Sequence, residues 1–303
     1  MKRVLKWTAG VVLAGLLAAG VTFWERPVEV YQKITEAHMI LEGASSRTTT
    51  VEGMRVHYYV AGKVKGPVVV LVHGLGGRAE DWANLSPYLV RAGFRVYMPD
   101  LPGYGQSAKP ADFSYSVQDE ANVVVGFLDA MGLKQVDLGG WSMGGWIVQL
   151  VAAEHPERIR RLMLFDSAGI YARPKWNTNL FTPQNEAQVN ELNTLLTPNA
   201  PKVPGFVAED IVRISNRDGW VIQRAMASML TGKDTTDAML PKLAMPVLLI
   251  WGQKDEITPV DQGQTIHRLI PQSELDVIPD CGHLAPRQCT KQIGPDVVGF
   301  LQS

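Results

Sequence analysis

Ten residues, Val136 to Gly145, read V-D-L-G-G-W-S-M-G-G and constrain the fold more than any other stretch of this 303-residue chain. Val136 to Leu138 fit a short buried strand, and Gly140-Trp141-Ser142-Met143-Gly144 fit G-x-S-x-G, the nucleophile elbow. A serine hydroxyl attacks esters poorly unless a base sits beside it. A sharp strand-to-helix turn lifts the hydroxyl above the sheet, where a base reaches it. That turn strains the serine backbone and crowds its neighbours, so the flanking glycines supply the space. The helix expected over 143–154 aims its N-terminus at the same point, which favours developing negative charge. A glycine-rich turn with an incidental serine is the alternative, and the rest of the chain decides between them.

The surrounding pattern alternates. Apolar runs predict strands over 47–51, 54–61, 67–72, 94–98, 136–138, 158–165, 246–251 and 274–278. Between them, helices are predicted over 79–92, 116–131, 143–154, 258–269 and 291–301. The first two strands meet at Glu52-Gly53 as a hairpin, while P-V-V-V-L-V at 67–72 reads as a strand buried on both faces. This alternation predicts an α/β fold with a mostly parallel eight-stranded sheet flanked by helices. The interval 167–243 breaks it, with prolines at 174, 183, 198, 201 and 204 among others, and helical patches near 185–196 and 208–230. It follows a sheet strand, so it is expected as a helical cap over the strand ends. Trp176, Phe181, Leu195, Phe206, Trp220 and Met229 supply its apolar inventory.

The N-terminus differs from the rest. Lys2, Arg3 and Lys6 precede a run without charge from Trp7 to Trp24. A helix of that length spans about 27 Å, close to a bilayer's hydrocarbon core. A retained transmembrane anchor over 1–25 is the preferred reading, and a cleaved secretory signal the alternative. Both place the body of the chain outside the cytoplasm. For the anchor, the positive-inside rule gives a single-pass inner-membrane protein with its catalytic domain in the periplasm. Gly10, Ala14 and Ala18 share one face of this helix, as a homodimer through close helix pairing would require. A juxtamembrane segment follows over 26–46, with Tyr31, Ile34, His38 and Leu41 at helical spacing. The core is then expected over 47–166 and 244–303, and the cap over 167–243. Net charge near −1 gives no electrostatic case for nucleic acid. The two cysteines, Cys281 and Cys289, flank His283 and are candidates for a disulfide in an oxidising compartment.

Acyl transfer by a serine needs a base, an acid that orients the base, and donors for the oxyanion. Among the six histidines, only His283 and His73 fall in loops at strand C-terminal ends. His73, in H-G-L-G-G, suits a loop brace, which leaves His283 as the base. Asp255, just past a sheet strand and upstream of His283, is the expected acid, with Asp166 its competitor. The backbone N–H groups of Leu75 and Met143 are the expected oxyanion donors. Trp141, Phe181, Phe206 and Leu75 are expected to meet substrate. No cofactor or metal is implied, since the histidines form no cluster at ligand spacing.

H-G-L-G-G, D-L-P-G-Y-G-Q-S, G-W-S-M-G-G, G-Q-K-D and C-G-H occur in this order, and with them the chain from Arg47 to Ser303 resembles the α/β-hydrolase fold superfamily. The cap and the N-terminal run look like those of membrane-anchored monoacylglycerol lipases and bacterial inner-membrane esterases or phospholipases A. The resemblance implies a membrane-anchored serine carboxylic ester hydrolase acting on lipid esters through an acyl-enzyme. A carbon–carbon bond hydrolase, a cofactor-free haloperoxidase-like enzyme and a non-catalytic scaffold are the alternatives.

Overall fold

The structure is a computed structural model, and it describes residue 20 and residues 22–303. The uncharged run and its Gly10, Ala14 and Ala18 face therefore lie almost wholly outside the described residues. Among those described, no helix is long and apolar enough to cross a membrane.

Eight strands form one sheet in the order β1-β2-β4-β3-β5-β6-β7-β8. They are β1 (Ser45–Val51), β2 (Met54–Gly62), β3 (Val68–Val72), β4 (Arg95–Pro99), β5 (Val136–Trp141), β6 (Ile159–Phe165), β7 (Val247–Gly252) and β8 (Glu274–Ile278). β1 and β2 pair antiparallel, β2 pairs antiparallel with β4, and every other neighbour pair is parallel. Central strands β5 and β7 are buried at every residue, and β7 accordingly reads as an unbroken apolar run. Helices cover both faces, and each face holds its own buried apolar cluster.

The helices are α1 (Pro27–Leu41), α2 (Ser86–Arg91), α3 (Val117–Ala130), α4 (Met143–Glu154), α5 (Glu186–Leu196), α6 (Gly205–Leu230), α7 (Val260–Leu269), α8 (Ala285–Gln288) and α9 (Thr290–Gln302). α3 starts at Ser116, whose side chain accepts from the Asp119 N–H. The helix expected over 79–92 is two pieces, a 3-10 turn at Ala79–Trp82 and α2. Pro87 explains the break: it lacks an N–H and is tolerated only in a first turn, so the helix restarts there.

The segment between β6 and β7 carries α5 and α6 and packs over the C-terminal ends of the parallel strands. The indole N–H of Trp146 on α4 donates to the Asp234 carbonyl and ties this cap to the core. α1 reaches the cap's outer end. Val28 N–H donates to the buried Asp210 carboxylate on α6 (3.0 Å), and Trp24 stacks on Phe206 at 4.7 Å between ring centroids. Cys281 and Cys289 form a disulfide with Cα atoms 6.3 Å apart.

Candidate active site

β5 ends at Trp141 and α4 begins at Met143, so Ser142 carries the whole change of direction. Its backbone sits at φ 56° and ψ −121°, in the left-handed half of the map that non-glycine residues rarely enter. The turn stays this tight because Gly144 has no side chain. A Cβ there would lie 2.3 Å from both the Val72 and His73 carbonyl oxygens.

Three sequence-distant side chains meet at this turn. Ser142 Oγ lies 2.9 Å from His283 Nε2, and His283 Nδ1 lies 2.8 Å from Asp255 Oδ2. The carboxylate can only accept, so the ring proton sits on Nδ1 and Nε2 is left to accept from the serine hydroxyl. Asp255 is itself held on both oxygens. Oδ1 accepts from the N–H groups of Ile257 and Thr258, and Oδ2 accepts from the Thr258 hydroxyl at 2.7 Å. All three side chains are buried, with Ser142 the most exposed at 8 %.

The competing residues lie elsewhere in the network. His73 donates from Nδ1 to the Gly74 carbonyl and accepts at Nε2 from the Leu101 N–H. Burial pushes its pKa below the ordinary histidine value. Neutral and saturated, it braces the loop. Asp166 is buried and accepts from the Gly252 and Ala285 N–H groups. Burial, and next the charge of Asp255, push its pKa well above the usual carboxylate range. It is thus the poorer partner for an imidazolium.

The Leu75 loop runs beside the serine: a Cβ on Gly74 would lie 3.0 Å from the Ser142 Cβ. Leu75 N–H makes no hydrogen bond among the described residues. Met143 is the first residue of α4, so its N–H has no partner within the helix. Both amides are therefore available to an oxyanion, beside a helix N-terminus that favours one.

Ser142 opens into a cavity of about 290 Å³ between core and cap, walled by Ile170, Trp176, Phe181, Met226, Met229 and Ile257. Leu75 and Phe181, expected to meet substrate, line it. Trp141 and Phe206 do not, and for both the expectation is corrected. Alternation along β5 turns Trp141 to the other face of the sheet, where its indole N–H donates to the His283 carbonyl (2.7 Å) behind the base. Phe206 sits at the opposite end of α6 from Met226, roughly 30 Å away along the helix axis, and stacks on Trp24.

Sequence reasoning missed Thr258, Trp146 and Arg173. Trp146 and Arg173 line the cavity, and Thr258 both lines it and bonds Asp255. A threonine before a helix-starting proline carries no local signal of a role in a site. Only the loop's return to His283 exposes it.

Comparison with known proteins agrees with this geometry. The family model described as alpha/beta hydrolase fold matches residues 67–195 and 231–286. Lipase 1 of Psychrobacter immobilis is 27% identical over 78% of this chain and 77% of its own. The 2-hydroxymuconate semialdehyde hydrolase of Pseudomonas sp. (strain CF600) is 30% identical over 78% of this chain and 87% of its own. The crystal structure of a membrane phospholipase A superposes with a TM-score of 0.81 at 26% identity, over 100% of both chains. An eight-stranded sheet in this order, a strained serine between strand and helix, and a family model that matches residues 67–195 and 231–286 make this chain a member of the α/β hydrolase fold family.

Proposed function

We propose that this protein is a serine carboxylic ester hydrolase that acts on lipid esters from the surface of a membrane. The observation that carries the reading is the Ser142–His283–Asp255 line at the floor of an apolar cavity. In this mechanism His283 Nε2 takes the Ser142 proton as Oγ attacks the ester carbonyl. Asp255 stabilises the imidazolium, and the N–H groups of Leu75 and Met143 receive the developing oxyanion. The imidazolium then protonates the departing alcohol. Water, deprotonated by His283, releases the acid from the acyl-serine.

Membrane attachment through residues 1–25 is part of the same reading. Three cations stand before the uncharged run, which puts the body of the chain on the periplasmic side. Trp24, Tyr31, Ile34 and Leu41 expose large apolar side chains along and just before α1, as a helix lying in a bilayer interface would. The Cys281–Cys289 disulfide suits an oxidising compartment. Likeness to lipases and to a membrane phospholipase A supports the substrate class.

The test is fatty-acid release from a diacyl phospholipid, a lysophospholipid, a monoacylglycerol and a short aryl ester, with Ser142→Ala in parallel. Serine-dependent release from the lipids is expected. Identity of 30% to a 2-hydroxymuconate semialdehyde hydrolase favours a second reading, carbon–carbon bond hydrolysis. Turnover of a vinylogous 1,5-diketone with no ester turnover would establish that one instead.

A further inference from the structure

The cavity above Ser142 has an uneven wall. Most of it is apolar, and Arg173 is the one charged residue that lines it among the described residues. Arg173 sits in the segment between β6 and α5, is exposed, and so lies where the cavity meets solvent. Its Nε donates weakly to the Tyr171 hydroxyl at 3.4 Å, and no carboxylate of the described residues comes within 4.0 Å of it. Of the other arginines of the cap, Arg213 pairs with Asp210 and Arg217 with Asp218, while Arg224 is held away from the cavity by the Ala111 carbonyl and the Trp220 ring. Tyr171 is anchored in turn, its N–H donating to the Asp237 carboxylate at 2.9 Å, which holds this rim segment against the far end of the cap.

A planar cation with five donors and no internal acid partner suits an oxyanion group of a ligand. The apolar part of the wall suits an alkyl chain, and Ser142 lines the same cavity. We infer that Arg173 is the head-group site of this enzyme and that its substrates are single-chain amphiphiles with an anionic phosphate at the polar end, of the lysophosphatidate type. This rests on the ester-hydrolase reading for the bond cleaved, but not for the binding.

Ether-linked lipids separate the two. The 1-O-hexadecyl ethers of glycerol and of glycerol 3-phosphate contain no ester. Their dissociation constants are read from the fluorescence of Trp146 and Trp176 in the cavity wall, with the full chain in detergent. Wild type is expected to bind the phosphate ether at least tenfold more tightly than the neutral ether. In Arg173→Gln that preference is expected to fall at least tenfold, and Arg173→Lys to restore part of it. In hydrolysis, the ratio of kcat/KM for 1-palmitoyl lysophosphatidate over 1-palmitoylglycerol is expected to fall by a similar factor. Equal binding of the two ethers by wild type would overturn the proposal, as would a preference that survives Arg173→Gln. Inorganic phosphate binding as tightly as the phosphate ether would overturn it too, by making the site one for free anions. Arg173-dependent ether binding without any ester hydrolysis would sink the ester reading and leave the head-group site standing.

Discussion

Thr258 shows how a residue without a sequence signature enters the chemistry. Its hydroxyl lies 2.7 Å from Asp255 Oδ2, 3.0 Å from the Asp166 carbonyl and 3.3 Å from His283 Nδ1. Thr258→Val keeps the shape and removes a charge-assisted hydrogen bond worth ~1.5 kcal/mol. If that bond serves the imidazolium-like transition state, kcat falls about tenfold, and an unchanged kcat in steady-state assays would remove Thr258 from the network. Glu120 poses the opposite problem. Both of its carboxyl oxygens are buried without a hydrogen-bond partner among the described residues, and burial pushes its pKa well above the usual range. The folded chain therefore keeps a proton that the unfolded chain releases above pH ~4.3. Stability tied to this group is complete below that pH and declines as pH rises, by up to about 1.4 kcal/mol per pH unit until the raised pKa is reached. Glu120→Gln cannot ionise, so its stability relative to wild type should be greater at pH 8 than at pH 5 in urea melts. A difference independent of pH would mean that Glu120 is ionised in the fold. Ser142, His283 and Asp255 were legible because each follows a strand, and the parallel sheet gathers strand C-terminal ends. Trp141 was misread because adjacency to the nucleophile in sequence says nothing about which face of the strand a side chain leaves from.

At the scale of elements, the cap touches His283 through its backbone. His283 N–H donates to the Leu196 carbonyl at the end of α5 (3.0 Å), and Gly282 lies under Pro198. A Cβ on Gly282 would fall 2.4 Å from Pro198 Cδ and 2.7 Å from the Leu196 oxygen. Gly282→Ala must therefore lift the 196–198 corner or tilt the histidine loop. A fall in kcat larger than the change in Tm is expected, and an unaltered kcat would show that the loop absorbs the shift. The disulfide staples the other side of the same loop. For so short a ring the chain-entropy model gives ~2–3 kcal/mol, so the double variant Cys281→Ser/Cys289→Ser should lose about that much in denaturant melts. β3 and β7 were legible because burial on both faces leaves unbroken apolar runs. The single helix expected over 79–92 was not what formed, since one proline restarted it.

The whole molecule combines three parts: a sheet that fixes Ser142, a cap that closes a chamber over it, and an N-terminal helix that rests on the cap. α1 meets α6 through Asp210, and Trp24 just before α1 stacks on Phe206, so the outer end of the cap is also the approach to the N-terminus. On the proposed membrane reading, a chain starting at residue 26 should stay in the supernatant when spun with lipid vesicles, while still cleaving a short aryl ester. Sedimentation of that shortened chain with vesicles would place the attachment in the body of the protein. The sequence alone determined the class of fold, the strand order along the chain and the three residues that meet at Ser142. Each of these follows from local rules, namely hydrophobic period, turn chemistry and the position of polar residues after strands. Only the tertiary structure decided which cap side chains line the cavity, that Phe206 serves α1 instead, and that Arg173 stands at the rim. Those outcomes depend on where one helix of 26 residues crosses the sheet, and amphipathic periodicity sets a helix's buried face without setting its neighbour.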